Sequence, residues 1–274
     1  MKICVNQKGK EMRRKGIAYC PDYGATDRES LMAIKDVGFD SIMLGWYSED
    51  KIKLLCDECR KIGLCPEIIH APFSHINDMW SEGDEWVGIY NGIADMIKAA
   101  GNNGVPYVVV HLSSGDNAPM LNDVGIGRFD RLIQLAAERG VTLAFENQRK
   151  LANLSYVMER YAHCENVGFC WDNGHEACFT GGREFMPLFG DKLVCTHIHD
   201  NFAKKDGDLH LIPFDGALDF KKYAEHIKRS GYTGVLLLET TIHSGDYSER
   251  FTPRQFLERA YRAVSEIAEM CEVE

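Results

Sequence analysis

The chain has 274 residues, of which 45% are hydrophobic and 26% charged, and its formal net charge is −10 at neutral pH. This is an ordinary globular composition, which excludes a disordered or fibrous chain. The negative charge argues against a nucleic-acid partner, because phosphate backbones are bound by clustered Lys and Arg.

Neither a membrane anchor nor an export signal is visible in the sequence. No apolar run approaches the roughly 20 residues that a membrane helix needs. Residues 1–16 contain no apolar stretch of signal-peptide length. We therefore expect a cytoplasmic protein without a membrane partner. The ten cysteines are then expected to be reduced. Cys56 and Cys59 lie in a predicted helix and are expected to pack in the hydrophobic core of the protein.

Eight short apolar segments alternate with longer amphipathic segments along the chain. The predicted strands cover residues 16–20, 41–45, 64–70, 107–111, 142–146, 168–172, 193–199 and 235–239. Helical periodicity lies near residues 28–37, 50–62, 85–101, 127–139, 151–162, 182–189, 219–229 and 253–270. Parallel strands need crossover helices, so this alternation predicts an α/β fold, a single (β/α)8 TIM barrel. We treat residues 1–274 as one domain, with residues 1–15 as a short N-terminal extension that could form a hairpin on the barrel floor.

Six consecutive predicted strands end in a residue that can bind a metal ion. Strands 3 to 8 end in His70, His111, Glu146, Asp172, His199 and Glu239, in that order. The carboxyl ends of the strands form the active-site face of such a barrel, so these side chains should meet there. Further candidates follow in the loops, namely His175, Asp208 and His210. A mixed set of His and carboxylate ligands favours Zn, Mn, Co or Fe over Ca and is compatible with Mg.

Seven motifs carry a resemblance to a known family. They are IIHAPFSHIND at 68–78, VVHLSSG at 109–115, LAFENQ at 143–148, FCWDNGHE at 169–176, HIHDN at 197–201, DLHLIPFDGALDF at 208–220 and LLLETT at 236–241. With these motifs the chain resembles the xylose isomerase-like barrels, a superfamily of sugar isomerases and epimerases that also contains endonuclease IV. The resemblance spans residues 16–270.

The resemblance implies a divalent metal ion (Mn, Zn, Co or Mg) at the mouth of the barrel. The family's shared ligands match Glu146, Asp172, His199 and Glu239, with His197 as the reserve for the histidine. His70, His111, His175, Asp208 and His210 match the additional ligands of the multi-zinc nuclease. More than one ion is therefore an open expectation, and the resemblance is also compatible with a homo-oligomer.

The resemblance further implies a sugar or sugar-like substrate and a proton transfer next to its carbonyl group. Glu146 and Glu239 match the family's proton carriers, and His175 matches a substrate contact. Lys205 stands where the epimerases carry an arginine, and Phe214 stands where the family usually has glycine, so both are departures. His70 and Trp171 complete the expected substrate-binding residues, because both lie at strand ends.

Three other functions compete with a sugar isomerase or epimerase. The same ligands would serve an endonuclease IV-like phosphodiesterase or a metal-dependent lyase or dehydratase. A barrel that only binds is the non-enzymatic alternative, and the presence of both Glu146 and Glu239 argues against it.

Overall fold

The computed structural model describes residues 13–272. Most of the expected N-terminal extension, including any hairpin, lies outside the described residues. Eight parallel strands form one sheet in the order β7-β6-β5-β4-β3-β2-β1-β8. The strands are β1 (Lys15–Ala18), β2 (Ser41–Gly45), β3 (Cys65–His70), β4 (Tyr107–Val110), β5 (Thr142–Glu146), β6 (Val167–Asp172), β7 (Leu193–His197) and β8 (Leu236–Leu238). A parallel bridge between Ile198 and Leu238 brings β7 to β8, so the predicted TIM barrel is confirmed.

Ten α-helices lie in the described part of the chain. They are α1 (Asp27–Val37), α2 (Glu49–Ile62), α3 (Trp86–Asn102), α4 (Asp123–Arg139), α5 (Leu151–Arg160), α6 (Asn173–Phe179), α7 (Met186–Phe189), α8 (Phe220–Ser230), α9 (Tyr247–Arg250) and α10 (Pro253–Glu272). None of them is both long enough and apolar enough to cross a membrane.

Local sequence explains where the crossover helices begin and end. The side chains of Ser48 and Asn122 accept a backbone hydrogen bond in the first turns of α2 and α4. Both helices stop at a glycine with left-handed φ, Gly63 at 70° and Gly140 at 66°. Polar caps and glycine stops of this kind satisfy backbone groups that a helix leaves unpaired at its ends.

The core has two parts, as a barrel covered by helices requires. A small buried cluster takes one or two residues from each strand and fills the barrel interior, for example Val109, Ala144 and Cys170. A larger cluster lies between the strands and the helices. Cys56 and Cys59 belong to it on the buried face of α2, in agreement with the expected core packing.

The predicted elements differ from the observed ones mainly in loops beside the barrel mouth. The helix expected near residues 182–189 is a single turn, α7, whereas the unpredicted helix α6 starts directly after β6. Asp172 caps α6, since its Oδ1 accepts a hydrogen bond from the backbone N–H of His175 at 2.6 Å. Strand β7 ends at His197 rather than at His199.

Candidate metal centre

Four side chains at the mouth of the barrel form what we call the inner cluster: Glu146, Asp172, His197 and Glu239. One ligand atom from each lies within 4.8 Å of the others. The Nδ1 atom of His197 is 2.7 Å from Glu146 Oε1 and 3.1 Å from Glu239 Oε2. The four residues come from the ends of β5 to β8, the face where the active sites of such barrels lie.

The histidine of the inner cluster is His197, which the sequence analysis kept as the reserve for His199. Both side chains point to the same side of the strand, as alternation requires. His197 is the last residue of β7 and reaches Glu146 and Glu239, whereas His199 lies beyond the strand end. The Nε2 atom of His199 is instead 3.1 Å from Asp172 Oδ1.

A second group, the outer cluster, consists of His175, His199, Asp208 and His210. Asp208 Oδ2 lies 3.2 Å from the Nε2 atoms of both His175 and His210. The other ring nitrogen of His210 is 2.8 Å from the carbonyl oxygen of Glu239, and that of His175 is 3.2 Å from the carbonyl oxygen of Asn147. For His210 this carbonyl contact holds the proton on Nδ1 and turns Nε2 toward Asp208 as the atom that can bind a metal ion.

The charges at the mouth favour a bound cation. Burial alone would lower the pKa of His197, but the carboxylates of Glu239 and Glu146 outweigh burial and raise it. In the outer cluster the neighbouring carboxylates likewise overcome burial, and they raise the pKa of His175 and of His210 to about 10. The same contacts hold the pKa of the Asp208 carboxyl well below its usual range. The carboxylates of Glu146, Glu239 and Asp208 thus stabilise positive charge at the mouth.

Buried polar atoms without a partner support the same conclusion. Asp172 Oδ2 and His197 Nε2 lack a hydrogen-bond partner in the inner cluster, as do Asp208 Oδ1 and His199 Nδ1 in the outer one. Such atoms are costly unless an ion or a water molecule satisfies them. The residues therefore fit a divalent cation with mixed His and carboxylate ligands.

His70 and His111 lie on the other side of Glu146. His111 Nε2 contacts Glu146 Oε2, and His70 Nε2 lies 3.5 Å from the same oxygen. The amide nitrogen of Gln148 is 3.2 Å from His111 Nε2 and 3.1 Å from His175 Nδ1. Gln148 thus joins the two histidines, and the sequence analysis missed it because a single Gln carries no metal-ligand signal.

Asp200 organises the loop that carries Asp208 and His210. Its carboxylate is fully buried and accepts backbone N–H bonds from Asn201, Phe214, Gly216 and Leu218 at 2.8–3.1 Å. An antiparallel bridge between Asp200 and Leu211 closes the same loop. Phe214, where the family usually has glycine, has a φ of 73°, the left-handed region that glycine adopts most easily.

Gly174 makes room for His199. A Cβ atom at residue 174 would lie 1.9 Å from His199 Cε1. The NG step of the FCWDNGHE motif therefore has a packing role as well as its place at the start of α6. The side chain of Asn173 adds a second constraint, because its Nδ2 donates to the carbonyl oxygen of His199 at 2.9 Å.

Lys205 and Trp171 lie away from both clusters. The Lys205 side chain is 77% exposed and its Nζ faces Asp116 and Asp206. Trp171, which the sequence analysis expected to bind substrate, is buried in the layer between strands and helices and stacks on Tyr223 of α8 with ring centroids 4.5 Å apart. Its position on β6 between Cys170 and Asp172 explains this, because successive strand residues face opposite sides.

Arg149 is a functional candidate that the sequence analysis did not single out. Its guanidinium lies 3.6 Å from the ring centre of Phe179, and Phe179 in turn stacks on His175 at 4.6 Å. Arg149 also forms ion pairs with Asp116 at 2.9 Å and Asp206 at 2.6 Å. It thereby ties together the loops after β4, β5 and β7 on one side of the mouth.

The opposite side of the mouth is open and holds a cavity of about 450 Å³. Its lining comes from the ends of β1 to β3 and β8 and includes His70, His210 and Glu239. The volume is within the range of about 300–1,000 Å³ typical of small-molecule sites. The cavity therefore gives a substrate access to both clusters.

Comparison with known proteins identifies similar sequences and folds. The sequence model of the family described as xylose isomerase-like TIM barrel matches residues 31–260. The uncharacterized protein y4fM of Sinorhizobium fredii is 32% identical over 192 residues, which is 65% of this chain and 60% of that protein. The rhizopine catabolism protein MocC of Rhizobium meliloti is 28% identical over 128 residues, 39% of each chain.

Solved structures share the fold over nearly the whole chain. The D-psicose 3-epimerase of Clostridium cellulolyticum H10 superposes with a TM-score of 0.75 at 15% identity, covering 95% of this chain and 100% of that one. The 3-keto-D-glucoside 4-epimerase YcjR of E. coli gives a TM-score of 0.68 at 17% identity, covering 90% and 99%. At these identities the likeness concerns the fold alone.

Proposed function

The chain belongs to the xylose isomerase-like TIM barrel family, and from this premise we propose that it is a metal-dependent sugar isomerase or epimerase. The observation that carries the proposal is the inner cluster: three carboxylates and an imidazole converge beside an open cavity, and two of their buried atoms lack a partner. Two of the structural neighbours, a D-psicose 3-epimerase and a 3-keto-D-glucoside 4-epimerase, are consistent with it.

We assign Glu146, Asp172, His197 and Glu239 as the ligands of a divalent cation such as Mn, Zn, Co or Mg. When bound, this cation supplies Lewis acidity that polarises a substrate carbonyl and makes the neighbouring C–H more acidic. Asp172 is fully buried, and its Oδ1 accepts a hydrogen bond from the backbone N–H of His175, so its role is to hold the cation.

Proton transfer is the task of the two glutamates. Glu239 lines the cavity, whereas Glu146 is covered by His111 and Gln148. Glu239 removes the proton next to the carbonyl, and the C–H electron pair moves toward the carbonyl oxygen. In an isomerisation the proton returns to the former carbonyl carbon, while the hydroxyl proton of the deprotonated carbon moves to the former carbonyl oxygen. Epimerisation needs an acid on the opposite face of the same carbon, and Glu146 is the group available for it.

His70 and His210 are the cavity residues placed to bind substrate hydroxyl groups. Both have one ring nitrogen held by a backbone carbonyl, at 2.7 Å from Ala71 for His70 and 2.8 Å from Glu239 for His210. Their orientation is thereby fixed before a substrate enters. His175 lies deeper and acts through Asp208.

Elemental analysis and one substitution test the proposal. Protein purified without added metal or chelator should contain at least one equivalent of a divalent metal per chain. Glu239→Gln should abolish turnover of ketose substrates, while Glu225→Gln, an exposed glutamate on α8, should retain it. Full activity of Glu239→Gln, or turnover of a ketose by metal-free protein, would contradict the assignment.

The outer cluster favours a second candidate function, hydrolysis of a phosphodiester by several metal ions. His175, His199, Asp208 and His210 would hold a second cation, and two cations could clamp a phosphate between them. Two or three equivalents of zinc together with cleavage of abasic-site DNA would support this function. The net charge of −10 weighs against it, because a DNA groove needs positive charge.

A further inference from the structure

The cavity beside the inner cluster has an aromatic wall. Tyr19, Trp46, Tyr47 and Phe73 line it together with Pro72 and Met43. Trp46 packs partly against the core, and Phe73 stacks on His111 at 4.8 Å, so both rings are held in place. Flat rings of this kind offer their faces to the apolar C–H surface of a sugar.

Polar groups also line the cavity. Glu239, Thr241 and Ser244 come from the end of β8 and the loop after it, and His70 and His210 add two imidazole rings. Carboxylate, hydroxyl and imidazole groups are hydrogen-bond partners for substrate hydroxyls. The cavity thus offers aromatic rings to C–H groups and polar side chains to hydroxyl groups.

Among residues 13–272, no Lys or Arg side chain contributes to this cavity, and His210, which does line it, is already paired with Asp208 at 3.2 Å. Two cations near the mouth are already paired: Lys51 with Asp27, which accepts a hydrogen bond from Tyr19, and Arg149 with Asp116 and Asp206. A free cation to receive a phosphate group is therefore lacking in the described part of this site.

The inner cluster also lacks spare positive charge. Its three carboxylates, Glu146, Asp172 and Glu239, exceed the charge of one divalent cation. A phosphate dianion in the cavity would face Glu239 without a compensating side chain, and an unpaired charge in a partly buried site is costly.

We propose that the cavity binds its substrate as an uncharged polyhydroxylated carbonyl compound, stacked on the wall that contains Trp46, and that it discriminates against phosphate esters. This inference rests on the proposed function, because it assigns the substrate class of that same site. Specificity here comes from the absence of Lys and Arg in the described part of the lining as well as from the aromatic and hydrogen-bonding side chains that it contains.

Calorimetric titration of the Mn²⁺-loaded protein tests this inference. The probes are the free ketohexoses and ketopentoses, each paired with its commercially available phosphate ester. We expect at least one free ketose to bind, and its ester to bind at least about tenfold more weakly, a difference of about 1.4 kcal/mol. An ester that binds as tightly as its free sugar, or the absence of binding by every free ketose, would overturn the proposal.

Substitution of the wall gives an independent measurement. Trp46→Ala should weaken binding of the same free ketose about tenfold. Tyr156→Ala removes an exposed ring on α5, outside the cavity lining, and should leave the affinity unchanged. Trp46→Phe retains a ring and should bind within about threefold of wild type, which separates loss of stacking from loss of folding. Unchanged affinity in Trp46→Ala would contradict the assigned wall.

The titrations also separate this inference from the proposed function. A sugar that binds without being turned over, in protein that lacks metal, would count against the proposed enzyme but leave the substrate class standing. Turnover of a phosphate ester in preference to the free sugar would support the proposed enzyme but contradict the inferred substrate class.

Discussion

The imidazole rings of His199 and His210 lie parallel, with centroids 4.2 Å apart and an angle of 15° between their planes. Both Nε2 atoms are near Asp208, at 3.5 Å for His199 and 3.2 Å for His210. His199 belongs to the end of β7 and His210 to the loop that Asp200 organises. The stack thus fixes that loop against the barrel.

Gly174 is required for this arrangement, and its substitution gives the first prediction. A Cβ at residue 174 would overlap the buried ring of His199, so Gly174→Ala should destabilise the protein by about 1–3 kcal/mol, as overpacked cores do. The control is Gly127→Ala in α4, where a Cβ meets open space and should stabilise by about 0.5–1 kcal/mol. Urea unfolding measures both. Equal stability of the two variants would contradict the packing role of Gly174.

The two histidines of the HIHDN motif give the second prediction. His197→Ala should remove the inner cation, because it deletes the side chain between Glu146 and Glu239. His199→Ala should keep that cation and affect only the outer cluster. Elemental analysis of the two variants, purified in parallel, distinguishes them. If His199→Ala lost all its metal while His197→Ala retained it, His199 would be the ligand of the inner cation, as the sequence analysis chose.

These histidines also show how far the sequence could predict the site. Strand ends can be read from apolar runs that stop at a polar residue, and this placed Glu146, Asp172 and Glu239 at the mouth. For β7 the apolar run continues past the true strand end through Ile198, so two histidines at alternate positions satisfied the same pattern. Their separation depends on how the loop after β7 folds back, which is a tertiary property.

The positions of other residues at the mouth were also hard to predict from the sequence, for similar reasons. Trp171 is next to a ligand in sequence, yet strand alternation turns it toward α8. Gln148 and Arg149 act through contacts with distant loops, such as those of Arg149 with Asp116 and Asp206. The fold could be predicted because strand–helix alternation repeats eight times. Contacts between loops have no such periodic signal.

Asp200 gives the third prediction. Its two carboxylate oxygens each accept two backbone N–H bonds, so the amide of Asp200→Asn would present a donor to two other donors. Loss of such bonds to a buried charge should cost about 1.5–3 kcal/mol of unfolding free energy. Asp95→Asn, an exposed aspartate on α3, should change stability by less than about 0.5 kcal/mol.

Chemical denaturation of Asp200→Asn should be accompanied by a zinc titration. Because Asp200 holds the loop of Asp208 and His210, its substitution should also weaken zinc binding at the outer cluster while leaving the inner cation in place. Wild-type zinc affinity and wild-type stability together would show that the loop does not depend on Asp200.

The unequal exposure of the two glutamates gives the fourth prediction. Glu239 borders the cavity, whereas the Glu146 side chain is fully covered. With a bound ketose in deuterated water, Glu239→Gln should lose deuterium incorporation next to the carbonyl. Glu146→Gln should retain it and lose only net epimerisation, if the reaction is an epimerisation. Mass spectrometry of the recovered sugar measures this, with metal content as the control. Equal loss of exchange in both variants would contradict separate roles.

Metal removal gives the last prediction. Without a cation, three carboxylates of the inner cluster lie together, and neighbouring histidines, among them His197, His111 and His210, offset their repulsion. A ligand present at 100 times its dissociation constant stabilises the folded state by about 2.7 kcal/mol. For a domain of this size each kcal/mol shifts the melting temperature by about 2–4 °C, so chelation should lower it by roughly 5–11 °C.

Mn²⁺ added after removal of the chelator should restore the original melting temperature in wild type. In His197→Ala neither chelator nor Mn²⁺ should move it by that amount, because the inner ligand set is broken there. If the chelator left the wild-type melting temperature unchanged, the inner cluster would hold no cation in the folded protein. That result would also contradict the proposed metal-dependent chemistry.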